Sequence, residues 1–510
     1  MKKLHVFAAM IIGSYEITMT IYEVGSSGNM RLLNKVKQKV ELGKDTLRLK
    51  KISNAKIKKL IQELLKLKMI TEEYQVEEIL AYGATAFREA QNRHFVLEQI
   101  KKETGIEVKV VNNPQHSLLV YKGVVSSTMF EEIAKDGAAL LDASAGKLRV
   151  TIYHKGDLML TQNVALGSMQ IREWMKKTGY SKEGQSDLIR EMITYRFKEL
   201  DAQFLENMKI KTLVLSGDLF TSQAGWKGKK GDLLSEEEFL KLCKKGEKFL
   251  VQNMALTEDA DILLPSIIIC EEFFKRMDAK QVWISGMDMN DGIAYDYAVE
   301  KKYVTPRRDF NEDIYSEVIQ TMNRYVADNS HNYYVENACR VIFKGLAKQF
   351  GFSKRDELIL RTAALLHNCG SYITLAHAVR SSSYIVKRTE IIGLSDAERK
   401  LVSDIIRYHK MDFDEFIEAI ENQELAESDA AMVGKMTVIL GIANTLDAAH
   451  RQKFETIKTN VKNQEFRITV NSLSEGVLEK QFMERYQEFF EAMFGYKLIL
   501  REKNQRFLTL

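Results

Sequence analysis

Residues 140–150 read LLDASAGKLRV, and this stretch best indicates how the chain folds. An apolar run carries Asp142 to the end of a predicted strand, four small residues follow, and a second β-rich run covers residues 148–153. A turn of small residues lets backbone N–H groups approach an anion closely. Asp142 at its mouth suits a metal or a metal-bound water. A tight β-hairpin turn with one polar flank gives the same pattern, so both interpretations stay open.

The composition is that of a globular protein with several domains. At 510 residues the chain is too long for one hydrophobic core, which predicts three or four folding units. Its 74 Lys and Arg residues and 70 Asp and Glu residues leave a net charge of +4, so the total charge predicts no nucleic-acid partner. Basic clusters at residues 35–39, 227–230 and 307–308 are each typical of a solvated face.

Cysteine usage and the N-terminus predict a cytoplasmic protein. The four cysteines are far apart and include no C-x-x-C pair, which is typical of a reducing compartment. Residues 1–13 resemble a short signal sequence, but they run into Ser14, Tyr15 and Glu16 without a small-residue cleavage site. A buried first strand is therefore the prediction. No other stretch approaches a membrane-spanning length, so no membrane partner is expected.

The first 300 residues predict two similar α/β halves, each opening with strand, Gly/Ser turn and strand. A duplicated α/β unit places its site in the cleft between the halves, where loops from both meet. Residues 25–53 read as a polar segment. The predicted strands cover residues 6–12, 17–24, 76–82, 108–111, 140–142, 148–153, 212–215 and 281–285. The predicted helices cover residues 54–68, 83–104, 114–124, 181–207 and 266–277.

From residue 315 onward the strand pattern disappears, and amphipathic helices follow one another to about residue 451. Two short β-rich runs, residues 466–470 and 497–500, predict a small α+β tail. The stretch 301–313, between the α/β part and the helical part, is charged and contains Pro306, as linkers do. The predicted domains are residues 1–125, 126–305, 315–455 and 456–510.

Several stretches, in this order and spacing, make the chain resemble the exopolyphosphatase / guanosine pentaphosphate phosphatase (Ppx/GppA) family. They are GATAFREA at 83–90, YKGV at 121–124, LG at 166–167, ADILLP at 260–265 leading to DG at 291–292, and ALLH at 364–367. The resemblance implies an α/β part followed by an all-α part: two actin-like (ASKHA, ribonuclease H-like) domains, an HD-like helical domain and a small α+β tail. It also implies hydrolysis of a terminal phosphoanhydride, in polyphosphate or a guanosine pentaphosphate, usually with Mg²⁺.

Residues at the chemically demanding positions depart from the family's pattern. The first loop, which the family writes like IDIGSNS, reads MIIGSYE, so the Asp position holds Ile11. The stretch of the catalytic base, written like ISGxEEA, reads VNNPQHS, so Gln115 and His116 replace two acids. The second loop, written like DIGGGSTE, reads DASAGKLR, so Asp142 is present but Arg149 replaces the closing acid. The third loop is reduced to SGD at 216–218.

These departures predict weak hydrolysis with phosphate binding retained. Gln115 is no base near neutral pH, whereas His116, with an ordinary pKa near 6.5, is a candidate base beside Asp142. Losing a general base alone costs roughly 10²–10⁴ in rate. Basic residues still bind phosphate, although they equally suit a solvated surface. The predicted phosphate-binding residues are Gly13, Ser14, Arg88, Ser144, Gly146, Lys147, Arg149 and Gly217.

The helical half departs from its pattern in the same way. HD phosphohydrolases hold a metal with a His … His-Asp … Asp pattern. Here the corresponding degenerate positions are His331, His367, Asn368 and Asn444. Asn contributes no charge, so a metal site that has lost two carboxylates is badly weakened, and no metal is predicted there. His409 is present, but residues 381–383 are all Ser where a His-Ser-Tyr sequence is expected.

Three hypotheses follow from these residues. In the first, the chain is an active exopolyphosphatase that has recruited Asp142 and either His116 or Asp218. In the second, it is an impaired homologue that binds polyphosphate or a guanosine polyphosphate and acts as a sensor or scaffold. In the third, it catalyses a nucleotide-dependent kinase-like reaction. The missing acids favour the second. Mg²⁺ and a homodimer formed through the helical half are implied by resemblance alone.

Overall fold

A computed structural model of the chain describes residues 4–25, 28–178, 184–200, 210–217, 219, 229–254, 259–472 and 476–504. The chain divides into two compact units, Met1–Asp309 and Phe310–Leu510. Within the described residues, no helix is both long enough and apolar enough to cross a bilayer. All four cysteines are buried and free of disulfides. The four predicted domain ranges stay predictions.

The first sheet of unit 1 is mixed, and its central strand is nearly continuous apolar sequence, as expected for a strand with a parallel neighbour. Its strands are β1 (His5–Ile12), β2 (Glu16–Val24), β3 (Met30–Lys39), β4 (Glu78–Gly83) and β5 (Val108–Val110). Their spatial order is β3-β2-β1-β4-β5. The first three strands are antiparallel, whereas β4 and β5 run parallel to β1.

The second sheet repeats this plan. Its strands are β6 (Ala138–Ala143), β7 (Leu148–His154), β8 (Asp157–Val164), β9 (Thr212–Leu215), β10 (Leu233–Ser235) and β11 (Gln281–Ile284). The order β8-β7-β6-β9-β11 matches the first sheet, with antiparallel β10 added at the edge. The predicted fold class, a duplicated actin-like α/β part followed by a helical part, is confirmed. The two strands around LLDASAGKLRV are adjacent β6 and β7.

The helices of unit 1 cover the two sheets, and each sheet has its own buried apolar cluster. In order they are α1 (Leu42–Leu49), α2 (Asn54–Glu73), α3 (Thr85–Glu89), α4 (Arg93–Thr104), α5 (Asn113–Val125), α6 (Thr128–Lys135), α7 (Ser168–Thr178), α8 (Gln185–Leu200), α9 (Glu236–Gln252), α10 (Ala260–Arg276) and α11 (Met289–Glu300). The parts of predicted helix 181–207 outside α8 lie largely beyond the described residues.

Three local predictions were wrong. Residues 83–104 do not form one helix, because Ala90 is extended and the Asn92 side chain bonds the backbone of Ile52 in both directions. Residues 25–53, predicted only as a polar segment, contain β3 and α1. The sequence did not reveal β3 because its polar and apolar residues alternate too irregularly. Helix α10 begins at Ala260 and so includes Pro265.

Helices α5 and α11 pack through two glycines that the motif comparison had singled out. A Cβ on Gly292 would lie 1.7 Å from the carbonyl oxygen of Leu119. A Cβ on Gly123 would lie 2.9 Å from the carbonyl oxygen of Asp288. Both contacts are with backbone, which cannot swing aside as a side chain can. This close crossing fixes α5, and with it His116, against α11.

Unit 2 is a helical domain that ends in a small sheet. Its helices are α12 (Phe310–Tyr325), α13 (Ser330–Phe350), α14 (Lys354–Leu366), α15 (Ala378–Arg388), α16 (Asp396–Tyr408), α17 (Phe413–Glu421), α18 (Glu427–Thr445), α19 (Val477–Met483) and α20 (Tyr486–Phe494). Its strands are β12 (Phe454–Lys462), β13 (Glu465–Ser472) and β14 (Lys497–Asn504), of which β12 had no sequence prediction. Strand β13 pairs antiparallel with β12 and parallel with β14.

Candidate functional site

Loops from both sheets of unit 1 line a cavity of about 270 Å³, referred to below as the cleft. They follow β1, β6 and β9, where the carboxyl ends of parallel strands meet. Five of the predicted phosphate-binding residues lie in the cleft lining: Gly13, Ser14, Ser144, Gly146 and Gly217. The candidate acid–base residues Asp142 and His116 also line it. Asp218 lies outside the described residues.

The first two loops approach each other closely because Gly146 has no side chain. A Cβ on Gly146 would lie 2.9 Å from Ser14 Oγ and 3.1 Å from Thr85 Oγ1. The turn holding Gly146 is a tight hairpin, in which the Ser144 amide donates to the Lys147 carbonyl oxygen at 3.1 Å. The hairpin interpretation of the opening stretch is therefore confirmed, and the turn is also part of the cleft wall. Anion binding by this turn stays a prediction.

Asp142 is held between two nitrogen donors. Arg149 Nη1 lies 2.9 Å and His116 Nε2 lies 3.3 Å from the same carboxylate oxygen, Asp142 Oδ2. Burial favours a higher pKa for Asp142, but the His116 hydrogen bond and the Arg149 charge outweigh it and lower the pKa to about 2. The carboxylate is therefore ionised at neutral pH and is a very weak base.

His116 is a neutral imidazole at pH 7. Burial, and then the positive charge of Arg149, lower its pKa to about 4 against the opposing pull of Asp142. The expectation of an ordinary pKa near 6.5 was wrong, because the sequence could not show the Arg149 guanidinium beside the ring. With Nε2–H directed at Asp142, the buried Nδ1 has no hydrogen-bond partner among the described residues.

The three predicted basic phosphate ligands lie outside the cleft lining. Arg149 is only 2 % exposed and also donates to Ser144 Oγ at 3.2 Å, so it faces the protein interior. Arg88 donates to the Val111 carbonyl oxygen and to Thr85 Oγ1. Lys147 lies 3.9 Å from a carboxylate oxygen of Glu89. Direct phosphate contact by these three residues stays a prediction, and the structure shows protein partners for each.

Three further carboxylates line the cleft, and the sequence analysis missed both them and their partners. Alternate lysines of β3 reach them from one face of the strand. The pairs are Lys35 with Asp288 at 2.7 Å, Lys37 with Glu16 at 2.9 Å, and Lys39 with Asp259. The lysines at alternate positions of KVKQK (35–39) could have indicated that they lie on one face of a strand. The sequence analysis interpreted them as a solvated face instead.

A divalent cation does not fit this lining. Mg²⁺ takes oxygen ligands, chiefly carboxylates and waters. Among the described residues, four carboxylates line the cleft, and each already pairs with a cationic or imidazole side chain that neutralises its charge. No group of three or more His, Cys, Asp and Glu side chains suited to a metal occurs among the residues that the structure describes.

In unit 2, the four residues predicted to be degenerate metal positions come together around a cavity of about 430 Å³, referred to below as the helical-unit cavity. The residues concerned are His331, His367, Asn368 and Asn444. His450, which the sequence analysis did not single out, stacks on His331 with ring centroids 3.7 Å apart. His409 is fully buried and lies outside the lining, with its ring centroid 5.5 Å from that of His367.

Polar side chains around the helical-unit cavity also have hydrogen-bond partners within the protein. His331 contacts Asp447 Oδ2 through Nδ1 at 2.8 Å and Asn444 Oδ1 through Nε2 at 3.0 Å. Asn368 exchanges hydrogen bonds with Asn332. Of the lining residues that the structure describes, none is a carboxylate. A hard divalent ion therefore finds no charged oxygen ligand in the cavity wall.

Comparisons with known protein families match most of the chain. The model described as the Ppx/GppA phosphatase family matches residues 20–301. The model described as Ppx/GppA phosphatase, domain III, matches residues 315–487. The two matched segments correspond to the two compact units.

Individual relatives are distant. A guanosine-5'-triphosphate,3'-diphosphate pyrophosphatase of Aeromonas hydrophila is 21% identical over 429 residues, which cover 82% of this chain and 83% of that protein. A bifunctional 3-dehydroquinate synthase/phosphatase of Fusobacterium nucleatum is 24% identical over 168 residues, 32% of this chain and 25% of that protein. The crystal structure of an exopolyphosphatase from Cytophaga hutchinsonii has a TM-score of 0.50 at 18% identity, and it covers 59% of this chain and 100% of that one. This last likeness concerns the fold.

Proposed function

Because the chain belongs to the Ppx/GppA phosphatase family, we propose that its cleft binds a phosphate chain, either polyphosphate or a guanosine polyphosphate, and hydrolyses it poorly or not at all. Such a protein acts as a sensor or scaffold for its ligand. The observation that carries the proposal is the buried Arg149, which neutralises Asp142 in the place where the chemistry needs an available base. Cytoplasmic location and homodimer formation remain predictions of the sequence.

Phosphate binding is supported by the loops and by buried polar atoms that need a partner. Gly13, Ser14, Ser144 and Gly146 lie in one lining, where small side chains let an anion approach the loops closely. The hydroxyl of Ser168 also lies in this lining, is buried, and has no hydrogen-bond partner among the described residues. A buried hydroxyl left unpaired costs free energy, and a phosphate oxygen is a suitable acceptor for it.

Weak hydrolysis follows from the protonation states of the candidate bases. A water attacking a phosphoanhydride must lose a proton, and a general base works best when its pKa is near the working pH. The pKa values of about 2 for Asp142 and about 4 for His116 are both far below neutrality. The nearest other carboxylates are paired with the lysines of β3. With its described residues, the cleft therefore offers a phosphate chain a place to bind but no effective proton acceptor.

The second candidate is an active exopolyphosphatase with a rearranged site. One observation favours it: His116 is neutral, and its buried Nδ1 lacks a partner among the described residues. A lone pair in that position accepts a proton from a water, and Asp142 then stabilises the imidazolium that forms. The low pKa of His116 makes this transfer unfavourable, so we rank it second.

The deciding experiment separates binding from turnover. Purified protein is mixed with long-chain polyphosphate or guanosine tetraphosphate, with Mg²⁺ and separately with EDTA, and both phosphate release and thermal unfolding are followed. We expect polyphosphate or guanosine tetraphosphate to raise the unfolding temperature with or without Mg²⁺. We expect release no faster than from the Asp142→Ala variant.

The matched control is Asp157→Ala, which removes an exposed carboxylate of β8 outside the cleft. Phosphate release that Asp142→Ala abolishes and Asp157→Ala retains would establish the active enzyme instead. If neither anion shifts the unfolding temperature of the wild-type protein, the binding proposal fails. Circular dichroism shows whether each variant is folded.

A further inference from the structure

The helical-unit cavity is electropositive in a way that the cleft of unit 1 is not. Its lining, as far as the structure describes it, contains Lys410 and Arg485 but no Asp or Glu. Arg485 Nη1 donates to the backbone carbonyl oxygen of Lys410 at 2.9 Å, and both residues belong to the lining. Neither cation has an acid within ion-pair distance in the part of the chain that the structure describes. Two neighbouring cations without an acid partner are a recognition site for an anion.

Side chains that form hydrogen bonds also line this cavity. Ser371, Asn368 and His450 line the cavity together with His367. The Nδ1–H of His367 donates to the Ala364 carbonyl oxygen at 2.8 Å, so its orientation is fixed and Nε2 is the nitrogen left for a ligand. A small anion seated between the cations therefore meets several polar groups in fixed positions, which suits a compact tetrahedral group.

An apolar wall completes the cavity. Leu375 and Phe482 line it and are unusually exposed for their size, with 84 % and 49 % of their surface accessible. Val379 and Tyr486 belong to the same lining. A bare phosphate ion would leave these side chains in water, whereas a phosphate ester carrying an apolar or aromatic body would cover them. A volume of about 430 Å³ is within the range of small-molecule sites.

We propose that the helical-unit cavity is a second binding site, which takes a small organic phosphate with an aromatic body, of the nucleoside monophosphate class. The phosphate contacts Lys410 and Arg485, and the aromatic body packs on Leu375 and Phe482. This site lies wholly within unit 2, so it does not depend on the function proposed for the cleft. It requires no metal, because cations of the protein provide the positive charge.

The test is isothermal titration of the full chain with adenosine monophosphate, adenosine and inorganic phosphate, each alone. Adenosine monophosphate is expected to bind more tightly than either of the others, because only it satisfies both the cations and the apolar wall. Lys410→Ala and Arg485→Ala are each expected to weaken it about 10- to 100-fold, the usual effect of removing one charge-assisted hydrogen bond. Arg485→Lys should recover part of the loss.

Two controls keep the outcome clear. Lys462→Ala removes an exposed lysine of β12 outside the cavity and should leave the affinity unchanged. Asp142→Ala alters only the cleft, so an unchanged affinity in that variant separates this site from the proposed function. Equal binding of adenosine and adenosine monophosphate would overturn the proposal. So would an affinity that neither Lys410→Ala nor Arg485→Ala alters in a folded protein, or the absence of binding at millimolar ligand.

Discussion

Replacing His116 by Gln is expected to make unit 1 less sensitive to acid. His116 is 6 % exposed on α5, and its ring faces Asp142 on β6, Arg149 on β7 and Arg88 on α3. Burial and the two guanidinium groups lower its pKa to about 4, although Asp142 opposes the shift. A Gln amide still donates to Asp142 but does not titrate, so the substitution removes the proton equilibrium with little change of shape.

The size of the effect follows from linkage. Because the pKa of the folded state lies below the unfolded value of 6.5, the unfolded chain binds the proton first as the pH falls, and stability is lost from about pH 6.5 down to about pH 4. A folded pKa of about 4 gives a loss of about 2 kcal/mol in the free energy of unfolding between pH 7 and pH 5. Asp142, with a pKa of about 2, contributes its own loss only at lower pH.

Urea unfolding followed by tryptophan fluorescence reports on the stability of unit 1, since all three tryptophans lie within residues 1–309. The wild-type protein should lose about 2 kcal/mol more than His116→Gln between pH 7 and pH 5. His94→Gln, an exposed change on α4, is the matched control and should behave as the wild type does. Equal losses for the wild type and His116→Gln would show that His116 is not held neutral, and the assignment of weak basicity would fall with it.

Three further substitutions test the packing around the cleft. Arg149→Met leaves the Asp142 carboxylate charged and largely buried. The free energy of unfolding at pH 7, measured in urea, should therefore fall by about 3 kcal/mol. An unchanged urea midpoint would contradict the buried ion pair. Gly292→Ala places a Cβ 1.7 Å from the Leu119 carbonyl oxygen and should lower the free energy of unfolding, followed by heating, by about 2 kcal/mol or more. A melting temperature equal to that of the wild type would argue against the close crossing of α5 and α11. Leu213→Ala empties a fully buried position on β9 and should cost about 2–5 kcal/mol by the same urea assay, with a smaller loss indicating that the sheet interior is loose.

The fold was predictable where the sequence repeats a simple pattern. Strand β1 is apolar from Val6 to Ile12 because protein lies on both its edges and both its faces, and such a run stands out in any sequence. Strand β3 could not be found in this way, because it lies at a sheet edge and its alternate residues are lysines. The break between α3 and α4 depends on Asn92 bonding Ile52, two residues 40 positions apart, and local propensity contains nothing about such a contact.

The site was predictable in its loops but not in its charges. Asp142, Ser144 and Gly146 were identified because a short run of small residues after a strand restricts what the backbone can do there. The roles of Arg149 and His116 required three dimensions, since the sequence gives a residue its ordinary pKa and only burial beside a particular neighbour changes it. The same limitation hid the lysines of β3, whose partners come from distant parts of the chain.

Under the proposed function, those lysines neutralise the carboxylates of the cleft in place of a metal. Two like unit charges 4 Å apart repel by about 4 kcal/mol at an effective dielectric of 20, so a phosphate chain does not enter a cleft of bare carboxylates. A divalent ion normally removes that repulsion. Here each carboxylate has a side-chain partner instead: Lys35, Lys37, Lys39 and Arg149. These cations are covalently part of the chain and cannot activate a water as a bound metal does. Under the proposed function, the arrangement that admits a phosphate chain is therefore also the one that leaves it uncleaved.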